Sequence, residues 1–191
     1  MSKLTTRDAV ASALPALDGY AVVCANGFIS RWACSVKDRP SHFYMIGSMG
    51  LASSIGLGIA LAKPDQPVAV LDGDGNVLMN LGQLPMIATS KPRRFFHMVI
   101  DNGVYASTGN QPTISTEVAL EEIAAAAGYA RVARVRDAES LAAKVREFVP
   151  ADGPSMLLVE TAPESGPPAP RIPFTPEEMT LRMRAAVGAG R

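Results

Sequence analysis

Apolar residues fall along the chain in short continuous runs. Runs rich in β-branched and aromatic side chains occupy residues 20–24, 43–46, 68–71, 95–100, 132–135 and 156–159, with longer segments between them. Continuous apolar runs bounded by turn residues predict strands buried on both faces, and crossover-length segments between them predict parallel pairing. Such a sheet carries helices on both faces, so the economical fold is a three-layer α/β domain with six parallel strands. Helix signals agree with that order. Thr5, Thr6 and Asp8 precede an Ala-rich run, residues 48–50 open a small-residue helix over 51–62, and Lys63-Pro64 closes it. A helix this rich in Gly and Ala is expected to pack tightly against its neighbour.

The pattern changes after Glu160. Pro163, Pro167, Pro168, Pro170, Pro173 and Pro176 can continue neither a sheet nor a helix. Residues 1–162 are therefore read as one domain, and residues 163–191 as an extended arm ending in a helix over 176–186. The arm either reaches a partner subunit or lies on its own surface.

With 191 residues, 48% of them apolar, the chain can bury one sizeable core. Its 18 basic and 18 acidic side chains balance, which gives no footprint for nucleic acid. Cys24 and Cys34 are too far apart for a CxxC unit and read as reduced thiols. The start Met1-Ser2-Lys3-Leu4 runs into polar residues, and no apolar stretch reaches membrane-spanning length, so a soluble cytoplasmic protein is expected.

Candidate chemistry lies after the strands, because ligands of open parallel sheets sit outside the carboxyl ends, at a switch in strand order. Asn26-Gly27-Phe28-Ile29-Ser30-Arg31 follows the first run, Gly47-Ser48-Met49-Gly50 the second, residues 72–76 the third and residues 101–111 the fourth. Gly73-Asp74-Gly75 and Asn102 together read as a metal-diphosphate clamp. A carboxylate and an amide oxygen, each just past a buried strand, suit one hard octahedral cation whose other ligands are phosphate oxygens and water. Flanking glycines let backbone N–H groups approach the anion. Alone, Gly-Asp-Gly could equally be a bare tight turn; the four loops together argue for one phosphate-bearing cofactor. His97, inside a buried run, and His42 read as structural. Lys91, Arg93 and Arg94 read as solvated charge at the wrong end of their strand for catalysis. Arg31 either meets an anionic substrate group or pairs with an acid.

Three segments carry a family resemblance. They are Phe43-Tyr44-Met45-Ile46-Gly47-Ser48-Met49-Gly50-Leu51-Ala52-Ser53-Ser54, Leu71-Asp72-Gly73-Asp74-Gly75 with Met79-Asn80-Leu81-Gly82, and Asp101-Asn102-Gly103 with Ser107-Thr108-Gly109-Asn110-Gln111-Pro112-Thr113. Roughly residues 22–113 resemble the diphosphate-binding domain of the thiamine-diphosphate-dependent sulfopyruvate and phosphonopyruvate decarboxylases, particularly the separate beta subunit of the former. The resemblance implies that Asp74, the Asn102 side-chain oxygen and the Val104 carbonyl ligate Mg2+. It also implies that Gly75 and Asn76 donate N–H groups to the diphosphate and that Gly27 and Phe28 touch it. Met49 would wedge between the two cofactor rings, and the Gly47 carbonyl would meet the aminopyrimidine. Ser48, Gly73 and Tyr105 complete the implied cofactor contacts, and Ser107, Thr108 and Gln111, with Arg31, would face the substrate. Two positions depart from the pattern. Many relatives have Asn where this chain has Asp101, which is read as a cap or turn residue, and Asn76 stands where a small residue is common.

The implied chemistry belongs to the cofactor: its thiazolium carbon adds to a 2-oxo acid and accepts the electrons released with carbon dioxide. The glutamate that activates it sits in a separate pyrimidine-binding domain, for which this chain has no room. An alpha subunit carrying that glutamate is the expected partner, in a hetero-oligomer of two or more pairs. The leading reading is thus a decarboxylase beta subunit acting on 3-sulfopyruvate, or on phosphonopyruvate. An acetolactate-synthase-like carboligase subunit and a non-catalytic binding module are the other two.

Overall fold

A computed structural model describes residues 3–164, 166–167 and 169–188, so Met1, Ser2 and Pro168 of the sequence reading lie outside it. Eight strands occur in chain order: β1 (Ala21–Cys24), β2 (His42–Tyr44), β3 (Val68–Gly73), β4 (Arg94–Asp101), β5 (Val104–Tyr105), β6 (Gln111–Pro112), β7 (Arg131–Val135) and β8 (Gly153–Glu160). Between and around them run α1 (Thr6–Ala13), α2 (Phe28–Val36), α3 (Ala52–Ala62), α4 (Asp74–Leu78), α5 (Gln83–Ser90), α6 (Leu120–Ala127), α7 (Ala138–Phe148) and α8 (Pro176–Gly188). Six strands form one parallel sheet in the order β2-β1-β3-β4-β8-β7. The expected three-layer α/β sheet is the one observed.

Strand limits differ from the apolar runs in instructive ways. Tyr20 precedes β1 and donates its hydroxyl to the Val149 carbonyl. Beyond Tyr44 the chain leaves the sheet and Ile46 is 61% exposed. β3 extends to Gly73 and β4 to Asp101, carrying the sheet into the loops that bear the candidate ligands. β8 starts at Gly153-Pro154, which reads as a turn; Pro is tolerated near a strand start, and its carbonyl accepts from Ala130 N–H at 2.9 Å.

Helix starts follow local chemistry. Thr5 and Asp8 form a capping box on α1, with Asp8 N–H donating to Thr5 Oγ1 and Thr5 N–H to Asp8 Oδ2. The small-residue helix α3 lies on β3 and β1. At Gly56 a Cβ would sit 2.5 Å from Val70 Cγ2, so only glycine lets this helix approach so closely. The core centres on β3, β4 and β8, where Leu71, Phe95, Phe96, Met98, Leu157 and Leu158 are fully buried.

The Pro-rich arm packs on its own chain. Trp32 Nε1 donates to Glu164 Oε1 at 3.1 Å and Arg31 Nε to the Pro170 carbonyl at 3.3 Å. Arg182 pairs with Asp38 at 2.7 Å and stacks on Phe174, while Met179 and Met183 are buried where α8 meets β2 and β1. His42 is buried with Nδ1 at 3.2 Å from Tyr44 Oη, which itself donates to Asp38, a structural arrangement. Arg94 donates to the Asp65 carbonyl and Arg93 pairs with Asp152, both at the amino end of β4, and the exposed Lys91 ends α5 with φ 48°. Cys24 and Cys34 are free thiols. Among the described residues no helix is long and apolar enough to cross a membrane.

Candidate functional site

From β1 the chain passes to β2 on one side and to β3 on the other, so the switch in strand order falls between β1 and β3. Loops leaving the carboxyl ends of these strands diverge there. A cavity fills the gap. Its walls include Asn26, Gly27 and Phe28 after β1, Met49 after β2, Gly73, Asp74, Gly75 and Asn76 after β3, and Asn102, Val104, Tyr105, Ser107 and Thr108 after β4. Gly47 and Ser48 do not line it; they stand exposed on the rim, where the Ser48 carbonyl accepts from Leu51 N–H at 3.2 Å. Arg31 and Gln111 do not line it either. The Arg31 guanidinium lies over the Phe28 ring and its Nε donates to the Pro170 carbonyl of the arm. Gln111 Oε1 accepts from Thr108 Oγ1 at 2.9 Å and ties the tip of the β5–β6 hairpin.

Two helices aim their amino ends at this cavity. Gly27 caps α2 with φ 88° and Gly73 caps α4, and neither start has a side-chain cap. Uncapped N–H groups and the helix dipole favour an anion there. Among the described residues lining the cavity none is Lys, Arg or His. An anion must then be balanced by the backbone and by a cation.

Asp74 is placed to hold such a cation. It is 3% exposed, and its Oδ2 accepts from Thr113 Oγ1 at 2.5 Å and from Ser115 Oγ at 3.1 Å. Ser115 Oγ also lies 2.7 Å from Asp101 Oδ1, which accepts the Gly103 N–H at 3.1 Å as the turn role of Asp101 requires. Burial pushes the Asp74 carboxyl above its ordinary value and Asp101 adds to this, while the Thr113 and Ser115 hydroxyls and the Gly75 N–H oppose it. A buried carboxylate raised in this way is relieved by a bound cation. A carboxylate offers about four lone-pair positions, so these hydrogen bonds leave room for a metal bond.

The rest of a ligand set comes from the turn after β4. Asn102 Oδ1 accepts from Val104 N–H at 3.0 Å, which fixes the amide and leaves its oxygen a second lone pair. Val104 stands opposite Pro112 in the hairpin, flanked by the Thr113 N–H to Gly103 carbonyl bond at 2.9 Å. It is thus a non-hydrogen-bonded position, and Pro112 has no N–H to give. Its carbonyl stays out of the ladder. No group of three or more His, Cys, Asp or Glu side chains that could hold a metal occurs among the described residues, so a cation here would rely on one carboxylate, one amide and one carbonyl. That donor set suits a hard ion completed by phosphate and water. Thr6 Oγ1 and Asn26 Oδ1, buried in residues of the same wall, have no hydrogen-bond partner among the described atoms.

Gly75 is required for a different reason from anion approach. A Cβ there would lie 2.4 Å from Tyr105 Cε1 and 3.3 Å from Met49 Cε, so Tyr105 and Met49 close over it. Asn76 uses its side chain within the protein: Oδ1 accepts from Gly50 N–H at 2.6 Å and Nδ2 donates to Asp72 Oδ1 at 2.5 Å. Those bonds hold the side chain in place and leave its backbone N–H at the start of α4. His97 is structural, with Nε2 3.0 Å from Asp72 Oδ2 and Nδ1 3.1 Å from Tyr129 Oη. Thr113, Ser115, Asp72 and Asn80 escaped assignment from the sequence because each acts through another residue.

Comparison with known proteins gives the family and the fold. Residues 25–159 match the family described as thiamine pyrophosphate enzyme, C-terminal TPP binding domain. A phosphonopyruvate decarboxylase of Streptomyces viridochromogenes is 42% identical over 87% of this chain, which spans 42% of that protein's length. A sulfopyruvate decarboxylase subunit beta of Methanothermobacter thermautotrophicus is 40% identical over 87% of this chain, which spans 86% of it. Among solved structures, a thiamine diphosphate-dependent 4-hydroxybenzoylformate decarboxylase of Rhodococcus jostii RHA1 superposes with a TM-score of 0.73 at 21% identity, over 87% of this chain and 34% of that one, a likeness of fold.

Proposed function

The chain belongs to the thiamine pyrophosphate enzymes, as a C-terminal TPP binding domain, and from this we propose that it is the beta subunit of a heteromeric 2-oxo acid decarboxylase acting on 3-sulfopyruvate. The observation that carries the proposal is the cavity at the β1/β3 switch point, where Asp74, Asn102 and Val104 meet two uncapped helix starts. The 40% identity to a protein named sulfopyruvate decarboxylase subunit beta supports the subunit reading. The phosphonopyruvate decarboxylase at 42% identity supports phosphonopyruvate as the second substrate reading.

Asp74, Asn102 and the Val104 carbonyl would hold Mg2+, and Gly75, Asn76, Gly27 and Phe28 would present N–H groups to the diphosphate. The bound cofactor would supply an electron sink for the pair released when the bond to the substrate's carboxylate breaks and carbon dioxide leaves. Thr113 and Ser115 would keep Asp74 aimed, and Met49 and Tyr105 flank Gly75. Ser107 and Thr108, which line the same cavity, would bond the substrate. Asp74 is the only carboxylate residue among the described residues lining the cavity and would be committed to metal, so the activating glutamate is assigned to an alpha subunit.

The test is carbon dioxide release by the complex isolated through a tag on this chain, with sulfopyruvate, phosphonopyruvate or pyruvate and added thiamine diphosphate and Mg2+. Release that favours sulfopyruvate and disappears in Asp74→Ala is expected. Release from none of the three acids, despite bound cofactor, would move the reading to ligation or oxidation.

A further inference from the structure

Beneath the cavity runs a continuous hydrogen-bonded line that the proposed chemistry does not use. It starts at Tyr129, whose Oη lies 3.1 Å from His97 Nδ1 in β4. His97 Nε2 lies 3.0 Å from Asp72 Oδ2 in β3, and both side chains are fully buried. Asp72 accepts only, so Nε2 carries the proton and Nδ1 takes the Tyr129 hydroxyl. Asp72 Oδ1 accepts from Asn76 Nδ2 at 2.5 Å and from Gly73 N–H at 2.9 Å.

The line ends at Gly50, held at both polar atoms of its backbone. Asn76 Oδ1 takes its N–H at 2.6 Å, and Asn80, one helical turn on, donates Nδ2 to its carbonyl at 3.0 Å and to Ser54 Oγ at 3.3 Å. Gly50 is buried with φ 95°, a conformation that needs glycine and needs holding. Its neighbour Met49 reaches the cavity and lies against Gly75. A buried carboxylate is costly unless every lone pair is used, and a fully satisfied buried network fixes one geometry. Here the fixed elements are the Asp74 turn and the loop of residues 47–50.

We infer that Asn76, anchored through Asp72 and His97 to Tyr129, and Asn80, bonded to Ser54, are positioning residues that clamp Gly50 and thereby set Met49 against the Asp74 turn. The two sides of the cavity, metal side and rim side, are locked in one register. This rests on the cofactor reading above only for its consequence in catalysis; the clamp itself is a property of the free chain.

The experiment uses Asn80→Ala, at a half-buried site that should fold, and Asn76→Ala as the more severe variant. Amide hydrogen exchange on the full chain is expected to accelerate at least tenfold over residues 46–51 in Asn80→Ala, with β3 and β4 unchanged. In the isolated complex, the magnesium-dependent Kd for thiamine diphosphate is expected to stay within about twofold while kcat falls roughly tenfold. Exchange over residues 46–51 that matches the unmodified chain would overturn the clamp. So would a raised Kd with kcat intact, since that is loss of binding and not of register. A complex that binds no thiamine diphosphate would overturn the cofactor reading and the catalytic consequence, and the exchange data would still decide the clamp.

Discussion

At the scale of single residues, the hydroxyls around Asp74 decide how well it can serve a cation. Thr113 donates to Oδ2 at 2.5 Å, and Ser115, with one proton, has Asp101 at 2.7 Å and Asp74 at 3.1 Å. Ser115 shares that proton between two carboxylates and lies nearer Asp101, which leaves Thr113 as the chief orienting donor. Partners of this kind typically contribute about 10–100-fold in metal affinity. Thr113→Val, which keeps the shape and removes the donor, is expected to raise the Mg2+ concentration needed for half-maximal cofactor binding by about that factor, read by calorimetric titration of the complex. Unchanged Mg2+ dependence would leave Thr113 with a packing role only. Asp74 and Asn102 were legible as candidates in the sequence because they stand next to glycines just past apolar runs. The orienting residues were not. Thr113 and Ser115 come from a polar stretch without periodicity, and only the β5–β6 hairpin, two residues per strand, brings them back to Asp74.

At the scale of elements, α3 tests the argument from small residues. Alanine is favoured over glycine in a helix by about 0.8–1 kcal/mol. At Gly56 the added Cβ meets Val70 Cγ2 at 2.5 Å, and overpacking costs about 1–3 kcal/mol, so Gly56→Ala is expected to be destabilising on balance. At Gly58 nothing lies within 4 Å, so Gly58→Ala is expected to stabilise by up to about 1 kcal/mol. Urea midpoints of the two variants should move in opposite directions. The second element is β2. Burial, then repulsion from Arg39, lowers His42 from 6.5 to about 4. The unfolded chain therefore binds this proton first, and the contribution is full above pH 6.5 and lost as pH falls to about 4. His42→Gln should flatten the urea midpoint over that window relative to the unmodified chain; identical slopes would remove His42 as a source. The sheet itself was readable because parallel strands buried on both faces give unbroken apolar runs. The Gly153-Pro154 start of β8 was not, since both residues signal a turn and only pairing with β4 overrides them.

At the scale of the whole molecule, the proposed function makes the cavity half of a site. Among the described residues one carboxylate lines it, and its rim loop carries Ile46 at 61% and Leu51 at 44% exposure, with Met79 at 60% beside Gly50. Apolar side chains left open around a polar cavity mark a surface that gains from being covered. The expected cover is the alpha subunit, which would bring the missing acid as it closes over Met49. The isolated chain should then release no carbon dioxide from sulfopyruvate with thiamine diphosphate and Mg2+, and adding the co-purified partner should restore release. Met79→Lys separates assembly from folding, because a charge at an exposed position leaves the core untouched while opposing burial at an interface. Its Tm is expected to stay within about 2 °C, since surface substitutions usually change stability by less than about 0.5 kcal/mol. Affinity for the partner should fall at least tenfold, read by sedimentation. A Met79→Lys chain that assembles normally would place the partner on another face, and an isolated chain that turns over would place the activating acid within this one.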